Sequence, residues 1–179
     1  MSFHLRPAQF TDIPALRALI AASVQGLQTG DYSDAQRQAA LTTVFGVDTQ
    51  LITDGTYFAV EDGTALTGCG GWSFRRTLHG SDDGRQRDDT PLDPARDAAR
   101  IRASFVHPAW ARRGVASLLL DACEQAARRA GFTRLELAAT VTGVALYQAH
   151  GFIESERLSV PLAGAEALPI VRMEKHLLG

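Results

Sequence analysis

Hydrophobic and polar positions near the start of the chain follow first the period of a strand and then that of a helix. Residues 3–6 alternate between apolar and polar side chains, which predicts a half-buried strand. Apolar residues then recur at helical spacing and predict a helix over residues 12–22, with Thr11 as its N-cap. The sequence Ser-Asp-Ala-Gln at residues 33–36 is a capping box and predicts a second helix that ends near residue 41.

The middle of the chain has the pattern of a sheet that a long irregular segment interrupts. Residues 57–60 and 65–74 predict two strands joined by a Glu-Asp-Gly turn, and residues 99–106 predict another strand. Residues 75–98 lie between them and are rich in Asp, Gly and Arg. A connection of this length inside a domain is usually functional or disordered, and its composition predicts a mobile loop.

The second half returns to alternating helices and strands. Residues 114–129 form the clearest amphipathic helix, which Gly131 is expected to end. The remaining predicted elements are a strand at 135–139, a short helix at 143–150, a strand opening at 151–152, and a final hairpin from 159–162 and 170–175. No repeat or linker divides the chain, so the pattern indicates one α/β domain over residues 1–179.

Composition and charge narrow the range of functions. The chain has 179 residues with 18 basic and 20 acidic side chains, and its net charge of −2 gives no bulk electrostatic case for nucleic-acid binding. Two cysteines, Cys69 and Cys123, cannot build a disulfide framework or a zinc site alone. The start lacks the apolar core of a signal peptide, and no apolar run is long enough to cross a membrane, which indicates a cytoplasmic protein.

Two glycine-containing stretches call for different interpretations. Residues 68–71, Gly-Cys-Gly-Gly, lie within a predicted strand with no helix after them, so they predict a bulge or a close backbone approach rather than a nucleotide-binding turn. Residues 104–118 instead run from a strand end through Arg112, Arg113 and Gly114 into the amphipathic helix. Free amides at a helix N-terminus form a natural phosphate site, although an ordinary helix start with solvated arginines has the same pattern.

This second stretch resembles the acyl-CoA-binding motif of the GNAT superfamily of N-acetyltransferases, Q/R-x-x-G-x-G/A after a V-x-P strand end. Val106 and Pro108 match the strand end, and Gly114 and Ala116 match the loop, whereas Ala111 replaces the usual Gln or Arg. Two further blocks are similar to the family and come in its order: Leu-Arg-Pro-Ala at residues 5–8, and Ala-Leu-Tyr-Gln-Ala-His-Gly-Phe at residues 145–152. The Asn that usually precedes the last block has no counterpart at residues 140–142.

The resemblance implies a fold and a reaction. The fold is a single domain of the α+β type within the α/β class, with a mixed, mostly antiparallel sheet, flanking helices and a splayed central strand pair. The reaction is direct transfer of an acetyl group from acetyl-CoA to the amine of a small molecule or peptide, without a metal. Paired chains are common in the family, so a homodimer is also expected.

The resemblance also assigns site residues. An amide near Ser104 would polarise the thioester carbonyl, and Tyr147 aligns with the tyrosine that protonates the departing thiolate. The expected cofactor-binding residues lie on the strand end and the following loop: Phe105, Val106, Arg112, Arg113, Gly114, Val115, Ala116 and Ser117. Asp31 and Tyr32 at the start of the second helix, and Trp72 on the strand, are expected to line the acceptor site.

The general base is not assigned by the sequence. Some family members place a Glu early on the strand before the loop, and this position is Arg100 here. The open candidates are His107, His150, His79, Glu61, Asp31 and a water held by Ser104. Because no base stands out, a non-catalytic acyl-CoA-binding or regulatory module on the same fold is the alternative. A binder of another nucleotide phosphate is a third hypothesis.

Overall fold

The computed structural model describes residues 2–84 and 87–178. Its strands are β1 (Phe3–Pro7), β2 (Tyr57–Asp62), β3 (Ala65–Ser73), β4 (Ala99–Val106), β5 (Arg134–Thr140), β6 (Ile153–Val160) and β7 (Leu168–His176). Its helices are α1 (Ile13–Leu27), α2 (Asp34–Thr43), α3 (Thr49–Thr53), α4 (Val115–Arg129) and α5 (Val144–Ala149), and short 3-10 turns precede α1, α4 and α5. No helix within the described ranges is long and apolar enough to cross a membrane.

The described strands form one open sheet in the order β1-β2-β3-β4-β5-β7-β6. All neighbouring pairs are antiparallel except β4 and β5, which run parallel. These two central strands are paired only at their starts, where Ala99 lies opposite Leu135 and Arg100 opposite Glu136. The mixed sheet with a splayed central pair is therefore confirmed.

Helices cover both faces of the sheet because strand residues alternate between the two faces. Leu16, Ile20 and Val24 of α1 pack in one cluster with Tyr57 of β2 and Phe105 of β4. On the opposite face, Leu120, Cys123 and Ala127 of α4 pack in a second cluster with Leu135 and Leu137 of β5. The two helices therefore lie on opposite faces of the sheet, and both pack against β3 and β4.

The structure changes four details of the predicted elements. The first helix runs to Leu27 rather than residue 22, and Thr11 is not its cap, because a 3-10 turn comes first and Asp12 occupies the cap position. The short helix α3 has no clear sequence pattern and was not predicted. The stretch predicted as a separate strand at 159–162 is the end of the longer strand β6, which pairs with β7.

The segment from residue 74 to residue 98, which joins β3 to β4, is paired along part of its length. Arg75 forms a bridge with Pro91, and the backbone N–H of Thr77 donates to the carbonyl of Asp88 at 2.9 Å. Ser81 donates through its hydroxyl to the carbonyl of Thr43, which docks the segment against the end of α2. Residues 85 and 86 of the predicted loop lie outside the described residues, and the mobility of the segment stays a prediction.

The glycines of β3 permit close backbone approaches, as their position in a strand predicted. A Cβ atom on Gly68 would lie 2.5 Å from Val115 of α4, and one on Gly71 would lie 2.5 Å from the carbonyl oxygen of Thr56. A Cβ on Gly70 would lie 2.9 Å from the hydroxyl of Ser104. The missing side chains let α4 and β4 pack directly on β3.

Candidate active site

A distortion in β4 creates the opening in the sheet. Ala103 has a φ of 49°, and the register between β3 and β4 shifts between Cys69 and Gly71. A non-glycine residue in this region is strained, and such strain persists only where surrounding contacts hold it. Tyr57 supplies one such contact, since its buried hydroxyl donates to the carbonyl of Ala103 at 3.0 Å. The bulge turns the rest of β4 away from β5 and leaves its edge facing a cleft.

The cleft has a volume of about 790 Å³ and passes through the sheet. Successive residues Ser104 and Phe105 of β4 both line it, although they point to opposite faces. The same holds for Leu137 and Ala138 of β5, which pack in different core clusters. One side of the cleft is therefore formed by α4 and α5, and the other by α1, the end of α2 and the 74–98 segment.

The α4 side ends in a loop suited to phosphate. Arg112 and Gly114 have φ values of 62° and 89°, and the tight turn they make leads directly into α4. The first N–H groups of a helix have no acceptor within it, and those of Val115 to Ser117 lie at the cleft. Ser117 also contacts His150, with 3.0 Å between its hydroxyl and Nε2. Open amides, the helix dipole and an exposed arginine fit a pyrophosphate group.

Tyr147 lies on the same side of the cleft, deeper than the loop. Burial raises its pKa to about 12, while a hydrogen bond from Ser104 opposes the rise. Its ring packs edge-on against Phe152, with 5.7 Å between ring centroids, which restricts the orientation of the ring. The phenol is therefore protonated at neutral pH and close to the β4 residue predicted to contact the reacting carbonyl.

The opposite side of the cleft is held by a buried ion pair that has no local sequence signal. Arg102 of β4 and Asp48 before α3 are both buried, and 2.9 Å separates Nη2 from Oδ2. The same guanidinium donates to the carbonyls of Thr77 and Gly80 at 3.1 and 2.9 Å. It thereby fixes residues 77–80 beside the cleft, and His79 lies among the lining residues.

The predicted cofactor residues assemble at the cleft. Its described lining includes the catalytic candidates Ser104 and Tyr147 and, of the cofactor set, Phe105, Val106, Arg112, Gly114, Val115, Ala116 and Ser117. Arg113 belongs to the same loop, with its side chain exposed.

The predicted acceptor residues are not brought into the cleft directly. The hydroxyl of buried Tyr32 donates to the carbonyl of Pro169 at 2.6 Å and accepts from the N–H of Val141 at 2.8 Å. Asp31 accepts from the hydroxyl of Thr142, which lines the cleft. Trp72 is buried in the core against Phe74 and Phe132. Tyr32 and Trp72 therefore do not line the cleft, and Asp31 acts on it through Thr142.

The candidate bases occupy very different places. His107 accepts from the N–H of Ala109 and caps the turn after β4, and Glu61 is paired with Arg6 at 2.8 Å. Arg100 is paired with Glu136 at the root of the splay, where it joins β4 to β5. Of the histidines, His79 is the one on the α1 side of the cleft, as far as the structure describes its lining.

Two cleft residues were missed by the sequence analysis. Ser23 of α1 and Gln28 at its C-terminal end are both buried and both line the cleft. The predicted helix ended before them, and a polar residue in a connector carries no signal of burial. The extension of α1 to Leu27 places them against β4.

The chain is similar to known acetyltransferases both in its sequence, through a family model, and in its fold. The model of the acetyltransferase (GNAT) family matches residues 22–152. No curated protein sequence matches the chain. Among solved structures, a GCN5-related N-acetyltransferase from Rhodopseudomonas palustris superposes with a TM-score of 0.73 at 22% identity, covering 99% of this chain and 97% of that one.

Two further structures were solved with the acyl carrier bound. The PaiA N-acetyltransferase from Thermoplasma acidophilum, in complex with coenzyme A, gives a TM-score of 0.66 at 13% identity over 98% of this chain and 99% of that one. YncA from Salmonella typhimurium, with its cofactor acetyl-CoA, gives 0.62 at 16% identity over 99% and 95%. At identities this low, the similarity to these three structures shows a shared fold and nothing further.

Proposed function

The chain belongs to the acetyltransferase (GNAT) family, as its motifs predicted, and on this premise we propose that it transfers the acetyl group of acetyl-CoA directly to an amine. The observation that carries the proposal is the cleft through the sheet. A helix start suited to phosphate and a protonated phenol open onto it from one side, and the edge of β4 that is not paired with β5 also lines it. Binding both substrates in one cleft would supply proximity, which can lower a barrier by roughly 7–11 kcal/mol.

The residues on the α4 side support binding of acetyl-CoA. The amides of Val115 to Ser117 would hold its pyrophosphate, with Arg112 at the rim. The free edge of β4 from residue 104 to residue 106 would pair with the amides of the pantetheine arm. An amide near Ser104 would donate to the thioester oxygen as negative charge develops there, an interaction worth about 3 kcal/mol in comparable sites.

Tyr147 is the proposed proton donor to the departing thiolate. A phenol with a pKa of about 12 would be a weak acid toward a thiolate in water. The leaving thiolate would be desolvated in the cleft, and because desolvation raises the proton affinity of a thiolate, it would favour proton transfer from Tyr147.

The first test is calorimetric titration with acetyl-CoA, with ATP as the control ligand. Micromolar binding of acetyl-CoA without binding of ATP is expected. Binding of both to the same site would favour a general nucleotide-phosphate binder. Tight binding of acetyl-CoA without turnover of any amine would favour a non-catalytic acyl-CoA module.

The second test removes the proposed acid. We expect Tyr147→Phe to lower kcat by about 100-fold, because general acid catalysis typically contributes that much or more, while the acetyl-CoA Kd stays nearly the same. Tyr32→Phe is the comparison, since that hydroxyl lies outside the cleft and its loss should lower stability rather than kcat. An unchanged kcat in Tyr147→Phe would remove this residue as the acid.

A further inference from the structure

The α1 side of the cleft has a mainly apolar lining. Its apolar members are Leu27, Val44, Phe45, Leu78 and Phe105. The one cation on this side, Arg102, is paired with Asp48 and two carbonyl groups, and the described lining of the whole cleft includes no Asp or Glu. A bound carboxylate or a second ammonium group would therefore be desolvated here without a free partner of opposite charge.

Gln28 supplies an unused hydrogen-bond acceptor to this apolar surface. The residue is 5% exposed and lines the cleft, and its Oε1 has no hydrogen-bond partner among the residues that the structure describes. Buried polar atoms are normally paired, because an unpaired one is costly. An N–H group of a ligand in the cleft would satisfy this oxygen.

His79 faces the cleft from the 74–98 segment. The two carbonyls that Arg102 binds, those of Thr77 and Gly80, bracket this histidine and fix its position. Burial, and then the charge of Arg102, lower the pKa of His79, so its imidazole is neutral at neutral pH and one of its ring nitrogens is an acceptor. The charged groups on the elements packed against this part of the segment include Arg102 on β4 and Asp48 before α3, and those of the segment itself include Arg87 and Asp82.

We propose that this end of the cleft binds a monoamine on an uncharged apolar body, that Gln28 accepts a hydrogen bond from its nitrogen, and that His79 is the general base. The inference rests on the proposed function, because it concerns the acceptor of the same transfer. The amine enters as its uncharged free base, having lost one proton to solvent, and its nitrogen lone pair forms the new C–N bond at the thioester carbon while the electrons of the C–S bond leave on sulphur. The proton on nitrogen passes to the imidazole of His79, and Tyr147 protonates the thiolate from the other side of the sheet.

Three probe amines test the substrate class. Phenethylamine carries one amine on an apolar body, phenylalanine adds a carboxylate to that body, and putrescine replaces the body with a second ammonium group. We expect kcat/KM for phenethylamine to exceed that for the other two by about 100-fold, because each of them brings an unpaired charge into the cleft. A preference for phenylalanine or putrescine would overturn the proposed class.

Replacement of the base tests its role. We expect His79→Gln to lower kcat for phenethylamine by about 100-fold or more and to abolish the fall of kcat at low pH that protonation of the imidazole causes in the wild type. The matched control is His176→Gln, since His176 is exposed at the end of β7. A kcat near that of the control, or an unchanged pH profile, would exclude His79 as the base.

Replacement of Gln28 separates binding from folding. Gln28→Leu keeps the size of the side chain and removes its unpaired oxygen, so the free energy of unfolding should stay the same or rise. We expect KM for phenethylamine to increase about tenfold, with kcat less affected. Loss of stability with an unchanged KM would show a structural role instead.

Direct binding keeps this inference distinct from the proposed function. Phenethylamine added to the complex with CoA should shift the imidazole resonances of His79 in an NMR titration. If acetyl-CoA binds and phenethylamine does not, the acceptor proposal fails while the proposed function stands. If acetyl-CoA itself does not bind, the proposed function fails first.

Discussion

At the scale of single residues, the site depends on the strained backbone of Ala103 and on the space that Gly70 leaves by having no side chain. Ala103 is held at a φ of 49° by the hydroxyl of Tyr57, and the offset it introduces places the hydroxyl of Ser104 over Gly70. A side chain at residue 70 would compete with Ser104 for the same position. Gly70 therefore helps to orient the edge of β4 toward the cleft.

Gly70→Ala is expected to damage catalysis more than binding. The new Cβ would lie 2.9 Å from the hydroxyl of Ser104 and must displace it. Displacement of a reacting group by about 1 Å can cost 100-fold in rate, so we expect kcat to fall roughly tenfold to 100-fold, with little change in the acetyl-CoA Kd. Steady-state kinetics and calorimetry measure the two effects.

Gly30→Ala is the control for this substitution. A Cβ atom on Gly30 would meet no other atom within 4 Å, and the residue does not require a positive φ. Its replacement should leave kcat as it is in the wild type. Equal kinetics in the two alanine variants would show that Ser104 has room to move without consequence.

At the scale of elements, one buried ion pair connects the 74–98 segment to the sheet. Arg102 on β4 reaches Asp48 before α3 and two carbonyls of the segment, so three parts of the chain meet at its guanidinium. Buried charges are stable only when they are paired and fully hydrogen-bonded. The wall of the cleft that carries His79 therefore depends on Asp48, which is remote from it in sequence.

Asp48→Asn should destabilise the protein strongly. The substitution leaves the charge of Arg102 buried without its partner, which typically costs about 3–5 kcal/mol in the free energy of unfolding. Asp93→Asn is the matched control, because Asp93 also pairs with an arginine, Arg96, but both side chains are exposed, at 54% and 86%. Pairs of that kind are worth about 0–1 kcal/mol, and chemical denaturation distinguishes the two cases. Similar losses in both variants would contradict the role given to burial.

The elements that were predicted correctly are those whose signals are local. The capping box at Ser33 and Gln36 forms both of its hydrogen bonds, and Gly131 takes the positive φ expected after α4. The strand end, the turn and the start of α4 could likewise be predicted from consecutive residues. The ion pair between Arg102 and Asp48 and the burial of Gln28 could not be predicted from the sequence. Each arises where segments distant in sequence pack together, and neither is marked by a characteristic spacing of residues.

At the scale of the whole molecule, stability is expected to fall in acid. The pKa values of Asp12, Asp54 and Glu61 are lowered, in each case chiefly by hydrogen bonds from an arginine. A carboxyl group with a lowered folded pKa stabilises the protein above its unfolded value, about 4, and this contribution is lost as the pH falls through the folded pKa. The lowered pKa of His79 acts in the same direction below about pH 6.5, because protonation favours the unfolded chain.

The acid dependence can be measured as the free energy of unfolding between about pH 7 and about pH 3. Asp54 is nearly buried and bound to Arg75 at 2.7 Å, so it should account for part of the slope. We expect Asp54→Asn to be less stable than the wild type at neutral pH and to lose less stability on acidification. Parallel curves for the two proteins would argue against this contribution.

Because the cleft passes through the sheet, the substrate specificity of such a protein can diverge on one face of the sheet independently of the other. In the proposed function, the face that α4 and α5 cover binds the acyl donor, and the face that α1, the end of α2 and the 74–98 segment cover binds the acceptor. Mutations can accumulate on the second face, or the segment can be exchanged or lengthened, while the donor machinery stays intact. New acceptor specificities can then evolve while the transfer reaction is retained, because the strands between the two faces do not need to change.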